Sequence, residues 1–140
     1  MTKKRPLKLV YKNHPSLLLN ECVYCGQHAT TIDHIPALTK VQYYPESEKI
    51  AVRACSICNS ILSNVGLIDI SSRVRFLFSK YPIRFKKLLE MPPWDEEELS
   101  QLSGKLKLSV MRELKKKRMI ENKMIFLQNL LISFTNAIIK

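Results

Sequence analysis

The chain has little glycine, little acid and no long apolar run. Three glycines in 140 residues, against a hydrophobic share of 46%, argue for an ordered globular protein, because disorder requires far fewer apolar side chains. At this length the chain buries one ordinary core and has room for a small second module. Its most apolar stretch, MIFLQNLLISFTNAII over 124–139, is too short for a membrane span. Gln128, Asn129 and Asn136 interrupt it, so it reads as a buried helix. The opening MTKKRPLKLVYKNH lacks the apolar run that a secretory signal needs, and a cytoplasmic protein is expected. Internal repeats and low-complexity segments are absent.

The shortage of acid is the first functional clue. Twelve acidic residues face 23 basic ones, for a formal net charge of +11 and a pI near 9.7. The excess is spread along the chain: eight bases against four acids in 1–64, six against two in 65–94, nine against six in 95–140. Such a spread suits a polyanion contacted by several elements.

Three segments are expected. Residues 1–20 form a basic arm with a short apolar turn, PSLLLN; 21–66 hold all four cysteines; 67–140 form a basic helical extension. Within the middle segment, HATTID and IAVRA have the β-branched, alternating character of short strands. ALTKVQYYPESEK between them reads as a loop, in which one of Tyr43 and Tyr44 is expected to join the core. CSICNSILSNVG reads as a short helix stopping near Asn64 and Gly66. SSRVRFLFSKY and IRFKKLLEM read as amphipathic pieces separated by Pro82. MPPWDEEELSQL is a helix entry, with acids in the first turn where the macrodipole favours them. From Lys105 to about Ile139 apolar residues recur at helical spacing, as one long helix or a broken pair. The expected class is α+β and mostly helical.

Cys22-x2-Cys25 and Cys55-x2-Cys58 stand 29 residues apart. In a reducing compartment paired thiols are better read as metal ligands than as disulfides. Each pair sits on a tight turn, with Gly26 easing the first, and two pairs complete the closed tetrahedral shell of a structural zinc. A closed shell leaves no position for substrate, so this ion builds the module rather than performing chemistry. His28 reads as a surface histidine.

If zinc ties the two knuckles together, TTIDHI and IAVRA pair as an antiparallel hairpin and the helix from Cys55 packs across it. Asp33 and His34 then fall opposite the helix bearing Asn59. Oxygen donors from Asp33 and Asn59 suit a hard cation, Mg²⁺ or Mn²⁺. Such a cation polarises a scissile phosphate. His34, with an ordinary pKa near neutrality, suits the deprotonation of water. Pro36 ends the strand.

The pattern C-V-Y-C-G … T-I-D-H-I-P … V-R-A-C-S-I-C-N resembles the zinc-containing HNH (His-Me finger) endonucleases of phage type, over residues 21–64. That resemblance implies a ββα-metal module and DNA cleavage, with Asp33 and Asn59 on the cation and His34 as general base. It also implies a bacterial or phage-encoded protein. A weaker similarity, to recombination endonuclease VII, lacks the second histidine that branch carries after its Asp-His. Ile50 stands where the family usually has an asparagine that orients the catalytic histidine. This departure points to the alternative: a catalytically degenerate zinc-finger protein that binds nucleic acid or a protein partner without cleaving. Arg53, Arg73, Arg75, Lys80, Arg84, Lys86 and Lys87 are candidate phosphate contacts, DNA or RNA. KKKR (Lys115, Lys116, Lys117, Arg118) reads either as a phosphate contact or as a solvated helix face. The apolar C-terminal helix suggests a homodimer.

Overall fold

A computed structural model describes residues 11–63 and 65–139. The start of the expected basic arm, residues 1–10, and Asn64 lie outside the described residues. The elements are β1 (Lys12–Asn13), α1 (Ser16–Leu19), β2 (Thr31–Ile35), a 3-10 turn (Val41–Tyr43) and β3 (Ile50–Ala54). There follow α2 (Ser56–Leu62), α3 (Ile70–Arg84), α4 (Lys86–Leu89), α5 (Glu96–Ser100) and α6 (Gly104–Ile139). The class is α+β, with a small three-stranded sheet under several helices.

The sheet order is β1-β3-β2. β2 and β3 form the expected antiparallel pair, with Thr31 opposite Ala54, Asp33 opposite Val52, His34 opposite Ala51 and Ile35 opposite Ile50. β1, absent from the sequence reading, lies parallel on the far side of β3. Side chains of a strand alternate between faces, and this register sorts them cleanly. Asp33, Ile35, Ile50, Val52 and Ala54 turn towards the helices, where all but Asp33 join a cluster with Leu62, Val74, Leu77, Tyr81, Ile120 and Leu127. Ala51 turns the other way and packs with Tyr11, Val41, Leu17 and Leu38.

α2 ends at Leu62, close to the expected stop, and Ser63, with a φ of 44°, turns the chain out of the helix. One helical expectation changes. Pro82 does not separate two pieces: α3 runs through it to Arg84. The missing donor there removes one bond of the last turn, while Phe85 N–H still reaches Tyr81 O at 3.0 Å, and buried Leu77 and Tyr81 hold the helix on the core. Of the two readings of the C-terminal run, the first holds: it is one helix of 36 residues.

Of the loop tyrosines, Tyr43 is exposed and Tyr44 half-buried. α5 has the acidic entry expected of it, with Asp95 capping Glu98 N–H and Glu98 capping Asp95 N–H. No described helix is long and apolar enough to cross a membrane.

Candidate metal centre and the hairpin beside it

Each Cys-x-x-Cys pair folds locally into a knuckle. Gly26 N–H donates to Cys22 O at 2.9 Å and Cys22 N–H to Gln27 O at 2.8 Å. Gly26 takes a φ of +76°, which a side chain rarely tolerates. In the second knuckle Cys58 N–H donates to Cys55 Sγ at 3.4 Å, at the N-cap of α2. Val23 N–H donates to Arg53 O at 2.9 Å and ties the first knuckle to β3.

The four sulfurs, all buried, lie within 4.8 Å of one another, and Cys25 Sγ and Cys55 Sγ are 3.6 Å apart. A disulfide requires about 2.05 Å. Thiolates around zinc at about 2.3 Å sit about 3.8 Å from each other. The cluster is therefore compatible with a structural ion such as zinc. Hydrogen bonding from Cys22, opposed by Cys55 and helped by Cys58, pulls Cys25 down to about 7. Hydrogen bonding from Cys22, then Cys25 and Cys58, pulls Cys55 well below the ordinary thiol range. Hydrogen bonding within the cluster pushes Cys22 and Cys58 up. His28 is exposed and lies outside the cluster.

Two further groups reach the sulfurs, and neither was anticipated from sequence. The Tyr81 hydroxyl lies 3.0 Å from Cys58 Sγ, its pKa raised by burial and by the cysteine charges. Lys123 of α6, 3% exposed, donates to Cys25 Sγ at 3.2 Å and to Cys55 Sγ at 3.3 Å. Burial lowers the Lys123 pKa, and the charges of Cys25 and Cys55 more than reverse this, leaving it above the ordinary value. The available signal was a lysine between Ile120 and Leu127 on an otherwise apolar helix face.

Asp33 and His34 are the third and fourth residues of five-residue β2, not its end. Asp33 is 6% exposed. Its Oδ2 accepts from Tyr24 Oη at 2.5 Å and from Arg73 Nη1 at 2.6 Å. Tyr24 keeps its proton: burial, then the Asp33 charge, raise its pKa well above the ordinary value. Asn59 on α2 makes a weak 3.5 Å contact through Nδ2 with Thr31 Oγ1, and Thr31 shares the face of Asp33. His34 occupies the opposite face, its ring edge-on to Tyr11 with centroids 4.9 Å apart. The expected convergence of all three on the helix bearing Asn59 therefore fails in part: Asp33 and Asn59 share the helix side of β2, whereas His34, next along the strand, turns to the opposite face.

Arg73 is not a surface phosphate contact. It is wholly buried, with Nε donating to Leu67 O at 2.9 Å and Nη2 to His34 O at 3.4 Å besides its bond to Asp33. Its spacing of four from Leu77 and of eight from Tyr81 marked it as a core position. Arg53, half-buried, spends its guanidinium on Thr30 O and Leu17 O. The remaining basic candidates divide. Arg75 and Lys80 are exposed on α3, with Lys80 Nζ 5.4 Å from the Phe76 ring centroid. Arg84, Lys86, Lys87 and Lys116 line one open cleft of about 730 Å³ with Phe85. Lys115 and Arg118 flank a second, beside Leu108 and Met111, and Lys117 donates to Met91 O at 2.7 Å.

Comparison with models of known families, with curated proteins and with solved structures finds no match.

Proposed function

We propose that the chain is an HNH-type endonuclease that hydrolyses phosphodiester bonds in DNA. The observation that carries this reading is the arrangement of acid, amide and imidazole about β2, an edge strand of the three-stranded sheet. In-line displacement at phosphorus needs the attacking water and the leaving oxygen on opposite sides. A backbone laid along the edge of β2 that no other described strand pairs has Asp33 and Asn59 towards one side and His34 towards the other. Alternation along the strand supplies that division without any loop.

Asp33 and Asn59 are the groups that would hold a Mg²⁺ or Mn²⁺ ion, which stabilises charge on the phosphate and leaving oxygen when bound. They suit that task in part. The Tyr24 and Arg73 contacts of Asp33 both fall on Oδ2, and the Asn59 contact uses its nitrogen, so neither Asp33 Oδ1 nor Asn59 Oδ1 takes part in these bonds. A site of two oxygens relies on substrate phosphate and water for the rest of its shell. His34, held edge-on by Tyr11, takes the proton from water. Arg84, Lys86, Lys87 and Lys116 offer charge to more distant phosphates. Exposed Leu106, Leu108, Ile125 and Ile132 on α6 support self-association along that helix.

One observation favours the second reading, a zinc-built protein that binds nucleic acid without cutting it. The Asp33 carboxylate is already paired with a buried guanidinium, which offsets the charge that a second cation requires. The side chain of Ile50, opposite Ile35, carries no hydrogen-bonding group. Plasmid nicking in Mg²⁺, in Mn²⁺ and in EDTA separates the readings, read together with a gel shift. The nuclease nicks in metal only, and His34→Ala abolishes nicking while zinc content and DNA binding persist. Nicking that survives His34→Ala refutes the assigned base. A shift of DNA that is never accompanied by nicking leaves the binder.

A further inference from the structure

Lys123 is 98 residues from Cys25 in sequence and bonds to two sulfurs of the cluster. An ammonium buried without a partner is costly, and α6 has abundant exposed positions for a lysine. Its neighbours on the same helix face, Ile120 and Leu127, are wholly buried. The sulfurs present the reciprocal problem. Four thiolates around a dication carry an excess of two negative charges, enclosed among buried apolar residues. Each group relieves the other.

A second contact joins the same helix to the same knuckle. A Cβ added at Gly26 would stand 2.5 Å from Phe126 Cε2, so the Phe126 ring lies directly over the glycine that follows Cys25. Lys123 and Phe126 are three residues apart and fall on one side of the helix. The polar contact and the apolar one therefore act at the same place.

We propose that Lys123 is the counter-ion of the metal centre, so that metal binding fastens the C-terminal helix to the knuckles. An ammonium donating to two thiolates spreads their charge and holds them on the ion, as outer hydrogen-bond partners of metal ligands do. The ion in turn fixes Cys25 and Cys55 at the separation that Lys123 spans. Zinc retention is then set partly by a residue of the helical half, and removal of zinc loosens α6. This inference requires zinc at the four cysteines and is independent of any nuclease activity.

The test uses the full chain loaded with one equivalent of zinc. Release to a colorimetric chelator is timed for wild type, for Lys123→Met, which keeps the apolar stem, and for Leu127→Ala, which weakens packing one turn away without changing charge. Lys123→Met is expected to release zinc about tenfold faster, with Leu127→Ala close to wild type. Equal rates for Lys123→Met and wild type, or for Lys123→Met and Leu127→Ala, overturn the proposal. Hydrogen exchange on wild type, with zinc and after stripping, reports the coupling. Amides around 119–130 should lose protection when zinc leaves, and unchanged protection overturns it. Should Lys123→Met fail to fold, the exchange measurement on the unaltered chain decides alone. A wild-type chain that takes up no zinc also refutes it.

Discussion

Arg73→Met is the perturbation with the largest calculable effect outside the cysteines. The Arg73–Asp33 bond is 2.6 Å long, with side chains 0% and 7% exposed. Removing one partner of a buried pair leaves an uncompensated charge and costs about 3–5 kcal/mol. Arg73 also donates to Leu67 O and His34 O, which then lose a donor, so the upper half of that range is expected. A domain of this kind is stable by about 5–15 kcal/mol in all. In urea, with an m-value of about 1–3 kcal/mol/M, the midpoint of the zinc-loaded protein should fall by about 2 M.

The double variant Arg73→Met, Asp33→Asn removes both charges while leaving Tyr24 an acceptor. It should therefore recover part of the loss, because what is lost is mainly compensation and not attraction. The two single costs should then exceed the double by about 1 kcal/mol or more, a coupling of the size seen between groups in contact. A midpoint shift below about 0.5 M for Arg73→Met, or strict additivity in the cycle, refutes the claim that Arg73 exists to neutralise Asp33.

Gly26→Ala should destabilise the first knuckle by about 1–3 kcal/mol, since it meets both a φ of +76° and the Phe126 ring. Adding Phe126→Ala should restore only part of the midpoint in urea, because the backbone strain remains. Asp69 caps α3 by accepting from Ser72 N–H at 2.7 Å, and Asp69→Ala should cost about 1 kcal/mol in chemical denaturation. The Ser72 backbone hydrogen bond lowers the Asp69 pKa. Its contribution is therefore present above the ordinary carboxylate range and is lost as pH falls through the folded value, and the penalty of Asp69→Ala should vanish in acid. Replacing Lys86, Lys87 and Lys116 by Gln should flatten the salt dependence of duplex binding by about 2–3 in log–log slope, if all three neutralise phosphates. An unchanged slope removes the 730 Å³ cleft from the DNA path.

Local signals in the sequence carried the hairpin and the cysteine cluster. IAVRA coincides with β3, and the 29-residue gap between knuckles closes into one four-sulfur group. What escaped was whatever depended on a partner far along the chain. β1 is two residues long and exists by pairing with β3, so its own composition says little. Pro82 reads as a breaker because local propensity opposes it, yet burial of Leu77 and Tyr81 outweighs one lost bond. Arg73 reads as a phosphate contact because basic residues usually are exposed, and Lys123 stands out in no motif. Each is buried because an acid or a sulfur cluster, 40 and 98 residues away, meets it. The candidate acid and base were visible as strand neighbours, which face opposite ways by alternation, but which of the two turns towards the helices follows only from the pairing Asp33–Val52, His34–Ala51 and the packing of Val52.

The proposed nuclease requires a second ion beside Asp33 and Asn59, distinct from the one the cysteines suit. Electron paramagnetic resonance of Mn²⁺ titrated into zinc-loaded protein saturated with a short DNA duplex tests this directly. One bound Mn²⁺ beyond what the duplex takes up alone is expected, lost in Asp33→Asn and weakened in Asn59→Ala. Protein and duplex together binding no more Mn²⁺ than duplex alone would contradict it.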